Sequence, residues 1–207
     1  MTEELRQKAF RGRLKALCPL VDNLRLMLGA ARHAFNRHSR AELAEMARWR
    51  EEFTLDIDPF FQQVDLGLEK GSEADKPYLS KLQGILTHLE LMADKIGRLA
   101  DPIRLKSNHG AIFSDRAFFH INDMFSQQTG LMRGLVDIFQ LDDASLKEYV
   151  LSESQRLKDS CFQDESEHGS KMMDNPGQPE SWSIYLNILD LFGEILGHLL
   201  NIVKSLR

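Results

Sequence analysis

Cysteine is scarce in this chain: the two present, Cys18 and Cys161, lie far apart and belong to no CxxC pair. Neither a disulfide framework nor a thiolate metal site can be built from them, and a reducing compartment fits. A basic stripe is missing as well. The 26 basic and 31 acidic residues leave a net charge of −5 spread along the chain, which does not suit neutralisation of a nucleic-acid backbone. The N-terminus is charged from its third residue and leads into no apolar segment, so no signal peptide is expected. The most apolar stretch, Trp182 to Val203, is interrupted by Asp190, Glu194 and His198, which are costly in hydrocarbon. It reads as an amphipathic helix and not as a membrane span, and the chain is expected to be cytoplasmic. There is no nucleophile elbow, no phosphate-cradling glycine loop and no HExxH, so no reaction type follows and no enzyme is expected.

What is present is apolar material at helical spacing. Of 207 residues 43% are hydrophobic, enough for a core, and they recur at intervals of three and four with no strictly alternating runs. A first helix carries Leu14 to Phe35 and ends near 36–39, with Pro19 starting or kinking it. A second runs from about Ala41 to Lys70, with Pro59 as a bend and Gly71 as its stop. Ser72-Glu-Ala-Asp75 reads as a capping box before a third helix that reaches about Arg104. The polar run Lys106-Ser-Asn-His-Gly110 is the expected linker. A fourth helix (about Phe113 to Gln140), a fifth (to about Met173), a break at Asn175-Pro-Gly-Gln-Pro179 and a sixth helix then repeat the pattern. Sliding the third helix onto the sixth by 103 residues matches Leu79 with Trp182, Leu82 with Tyr185, Ile85 with Ile188, Leu89 with Phe192 and Ile96 with Leu199. The expected fold is all-α: two tandem three-helix bundles, residues 1–105 and 111–207, joined by 106–110.

Chemistry is concentrated in a few acids. Glu90 and Asp94 are one turn apart and share a face beside Leu82, Ile85, Leu89, Met92 and Ile96. Burying two like charges there would require a compensating cation. Glu52 and Asp56 form a comparable pair on the second helix. Together the four offer hard oxygen ligands for a divalent or trivalent ion such as Fe, Zn, Mn, Mg or Ca. Spacing alone is equally met by four solvated surface acids. Glu165 and His168 have ExxH spacing, but a di-iron bundle needs two such copies. Glu194 and His198, one turn apart, suit a hydrogen-bonded pair or half of a metal site.

The phrase LELMADKIGRLA from Leu89 and the phrase LFGEILGHLLNI from Leu191 resemble the LERIGDHxxNI phrase that closes each repeat of the PhoU family of phosphate-uptake regulators. Glu90 and Asp94 fall on the two family acids, with Lys95 and Arg98 in place of the usual His and Asn. In the second phrase His198, Asn201 and Ile202 match, while Gly193 and Gly197 stand where the acids belong. The family's middle-helix phrase, DxxVD, falls on Glu52 and Asp56 when anchored at Met46. Anchored at Ile57, Phe61 and Val64, it falls on Thr54 and Asp58. In the second repeat, Ser154 to Lys158 has lost both acids. The resemblance implies two three-helix repeats with metal on the acid pairs. It also implies a non-enzymatic helical adaptor whose partner is a phosphate transporter component or a sensor histidine kinase, with a second copy of the chain as a further partner. Two other readings follow the same residues: the cytosolic regulatory domain of a sodium/phosphate cotransporter, and a carboxylate-bridged di-iron-like bundle.

Overall fold

The computed structural model describes residues 2–172 and 179–207, and the side chains of 2–161 and 180–207. The described residues form eight helices and contain no strand. They are α1 (Glu3–Ala16), α2 (Cys18–Arg37), α3 (Arg40–Lys70), α4 (Lys76–Arg98), α5 (Ala100–Asn108), α6 (Asp115–Leu141), α7 (Ala144–Met172) and α8 (Pro179–Ser205). Two junctions are single-residue breaks, at Leu17 and Leu99, so the eight helices form six rods. Each break has a proline just beyond it. Pro19 and Pro102 carry no N–H for the carbonyl four residues back, and a tight i→i−3 bond closes the preceding helix, from Leu17 N–H to Leu14 O and from Leu99 N–H to Ile96 O. Pro19 thus starts α2. Pro59 leaves α3 unbroken.

The remaining boundaries follow local chemistry. Ser39 and Ser114 cap α3 and α6, each accepting the N–H three residues on, from Glu42 and Ala117. Ser72 and Asp75 do not form the expected capping box: the Ser72 hydroxyl donates to the Asp75 carboxylate at 2.7 Å, and α4 begins after Asp75. The carboxylate takes up the hydroxyl and leaves it no role at the helix amides. The polar run 106–110 falls on the last turn of α5 and the two residues after it. Lys106 is drawn into that turn because its ammonium donates to Phe35 O at 2.9 Å. The break read at 175–179 lies outside the described residues, apart from Pro179 at the start of α8.

Burial confirms the repeat and extends it. At the offset of 103, Leu82, Ile85, Leu86, Leu89, Ile96 and Leu99 and their α8 counterparts are all buried. The α2 and α6 rows align at an offset of 104: Leu20 with Met124, Val21 with Phe125, Leu28 with Met132 and Phe35 with Phe139 are buried on both sides. So do α3 and α7, where Met46 pairs with Val150, Phe53 with Leu157 and Ile57 with Cys161. In each half the three rods pack on one another. The halves also pack directly through α2 against α6 and α4 against α8. One continuous core results, with Phe35 against Phe125 and Phe125 edge-on to Phe192 at 4.8 Å. Each large apolar side chain buried there contributes about 1.5–3 kcal/mol.

Candidate functional site

The acid-bearing edges of the two halves lie between α3 and α4 and between α7 and α8. In the first half, Arg50 lies against Gly97, Glu51 shares a groove with Asp94, and Asp65 accepts a bond from Gln83 at 3.2 Å. These contacts mark the edge of α3 that faces α4. Helical spacing puts Thr54 and Asp58 on that edge and Glu52 and Asp56 on the opposite flank. Glu52 is instead held by Arg48 of its own helix at 3.1 Å. The buried apolar anchors Phe53, Ile57 and Val64 set this rotation of α3. Thr54 is bonded to Arg50, both to its guanidinium at 2.5 Å and to its carbonyl at 2.9 Å.

On α4, Glu90 and Asp94 sit on the edge that holds Gln83 and Gly97, turned toward α3 and exposed. The buried face of α4 belongs to Leu89, Met92, Ala93 and Ile96. The acids are solvated, and Asp94 has Arg50, Arg98 and Arg104 around the same groove. Exposed carboxylates among arginines need no metal for their compensation. Among the described residues, no three His, Cys, Asp or Glu side chains come together as ligands for one ion. The described donor set as arranged does not fit a metal centre. The side chains of Glu165 and His168 lie outside the described residues.

The second half has replaced this edge. Because α3 and α7 align at 104, Ser154 and Lys158 are the counterparts of Arg50 and Thr54. The Lys158 ammonium lies 3.3 Å from where a side chain on Gly197 would begin. A cation of the protein itself stands against the position of the second family acid. Ser154 is fully buried, with no hydrogen-bond partner for its hydroxyl among the described residues.

The back of α4 meets α8, and there the two phrases touch. His88 and His198 face each other, Nδ1 to Nδ1, at 3.2 Å, and Lys95 donates to Glu194 at 2.9 Å. The expected local pair of Glu194 with His198 therefore resolves into two cross-half contacts. One ring nitrogen must donate and the other accept, so the accepting imidazole is neutral. Burial lowers the pKa of each, and His198 is lowered further by His88 and Lys95, against a smaller opposing effect of Glu194 and with Lys158 adding to the lowering. His88 carried no signal in the sequence. The complementary charges of Lys95 and Glu194 did, but only once α4 and α8 are known to pack antiparallel.

The sequence matches no protein family and no curated protein. The fold does have solved counterparts. It superposes on the crystal structure of PhoU from Pseudomonas aeruginosa with a TM-score of 0.81 at 16% identity, covering 99% of this chain and 97% of that one. It also superposes on the phosphate transport system regulatory protein PhoU from Streptococcus pneumoniae with a TM-score of 0.81 at 13% identity, covering 97% and 94%. Over nearly all of its length the chain thus has the all-α fold of these PhoU structures.

Proposed function

We propose that the chain is a non-enzymatic regulator of phosphate uptake, acting in the cytoplasm as a helical adaptor on a phosphate transporter component or a sensor histidine kinase. The observation that supports this reading is the likeness in fold, over 97% of this chain, to a phosphate transport system regulatory protein. The α3/α4 edge is the face offered to the partner. It carries Asp58, Glu90 and Asp94 beside Arg50, Arg98 and Arg104, a mixed-charge surface suited to registering a complementary one. The matching edge of the second half is closed by Lys158.

Tagged protein recovered from its host cell tests the reading. A transporter subunit or a histidine kinase should copurify with the wild type, and Glu90→Ala with Asp94→Ala should weaken that recovery more than Asn201→Ala does. Copurification of neither class, or equal loss from both variants, contradicts it.

A further inference from the structure

A cavity of about 450 Å³ opens between the C-terminal end of α2, the first two turns of α3 and α5. Its volume lies in the range of small-molecule sites, about 300–1,000 Å³. Its chemistry is one-sided: Arg40, Arg104, Ser107 and Asn108 line it, and no acidic residue does. Arg40, Ser107 and Asn108 have no hydrogen-bond or ion-pair partner among the described residues; Arg104 is held only by the exposed Asp101. Arg40 is also the first residue of α3, where a cation opposes the helix dipole, with Glu42 in the same turn. The opposite wall is apolar, formed by Leu43, Ala47 and Ile103.

A second feature adds to the positive field. Lys106, 5% exposed, lies behind this wall with no carboxylate partner among the described residues. Its ammonium donates to Phe35 O at 2.9 Å and to His38 Nε2 at 3.2 Å, and sits over the Phe35 ring at 4.6 Å. His38 lines the cavity and accepts that bond, so its own proton resides on Nδ1 as a further donor. Buried cations in proteins are ordinarily paired with anions. Here the described residues supply no compensating anion.

We propose that this cavity binds a small phosphate monoester, its dianion held between Arg40 and Arg104 and its organic part against Leu43, Ala47 and Ile103. Two guanidinium forks match phosphate oxygens, and a double negative charge answers the several cations better than a single one. The apolar wall and the volume exceed what inorganic phosphate fills. The site adjoins the α3/α4 groove, with Arg104, Leu43 and Ala47 lining both, and does not depend on the regulatory reading.

Titration calorimetry and thermal shift at constant ionic strength provide the test, using glycerol 3-phosphate and AMP as probes, with inorganic phosphate and succinate as comparisons. At least one monoester should bind with a Kd below about 1 mM, and Arg40→Ala with Arg104→Ala should weaken it at least ~10-fold. Both side chains are exposed or partly so, and the melting temperature of the double variant without ligand should match the wild type. Ala47→Leu, which fills the cavity, should weaken the monoester and spare inorganic phosphate. Four results would overturn the assignment: no binding by either monoester, unchanged binding in the arginine variant, inorganic phosphate binding as tightly as the esters, or succinate doing so.

Discussion

The two halves of this molecule share their buried rows and differ at their edges. Phe53 and Leu157, Ile57 and Cys161, Leu89 and Phe192 occupy equivalent places in one core. Yet the first half presents Thr54, Glu90 and Asp94 where the second has Lys158, Gly193 and Gly197. Packing and surface chemistry have therefore been set independently. A core position tolerates little beyond a volume-conserving apolar exchange, whereas an edge can exchange acid for glycine and cation without moving a helix.

Phe192 and its counterpart Leu89 provide the largest test of the shared core. Phe192→Ala should cost about 3–5 kcal/mol and Leu89→Ala about 2–5 kcal/mol, read by chemical denaturation. Both should unfold the protein in a single transition, since α4 packs on α8. Two separated transitions would break the equivalence and leave the halves as independent bundles.

One core position departs from the repeat. Leu24 of α2 aligns with Gln128 of α6, which is buried with both amide atoms unpaired among the described residues. An unpaired buried amide costs about 1–3 kcal/mol. Gln128→Leu should recover part of that as a raised melting temperature; a destabilised variant would mean that the amide is satisfied in solution.

The junction between halves should be sensitive to acid. His88 and His198 have folded pKa values below their ordinary ones, so the unfolded chain binds more protons over that window. Stability should fall as pH drops below about 6.5, and His88→Asn with His198→Asn should flatten that slope. An unchanged slope in the double variant would place the acid sensitivity elsewhere. His38, lowered mainly by burial, adds to the same direction.

Smallest is the expected response to divalent metal. Manganese at millimolar concentration should stabilise the protein by no more than about 1 kcal/mol. That shift should vanish in Glu90→Ala with Asp94→Ala and persist in Lys158→Ala. A stoichiometric, tightly held metal would contradict the arrangement of the acids described above.

Much of this was legible in the sequence for a physical reason. Amphipathic helices display their buried stripe at a spacing of three and four, so α3, α6 and the match of Leu89 with Phe192 could be read directly. Rotation about a helix axis is harder to read. The difference between Glu52 with Asp56 and Thr54 with Asp58 is one of which flank faces α4, and that depends on Phe53 and Ile57 meeting a core assembled from other rods. Long-range polar contacts were hidden for the same reason. His88 and His198 stand 110 positions apart, and nothing local to either announces the other. The breaks at Leu17 and Leu99 were partly signalled by Pro19 and Pro102, yet the tight turns that close each helix depend on both sides packing into the same rod.

The regulatory reading rests most directly on phosphate uptake in the host cell. Deleting the gene and measuring phosphate uptake over a range of external phosphate should change uptake or its dependence on supply, with the wild-type gene restoring it. The Glu90→Ala, Asp94→Ala variant should restore it only in part. Uptake and phosphate-responsive transcription that are both unaltered by the deletion would contradict a role in phosphate control.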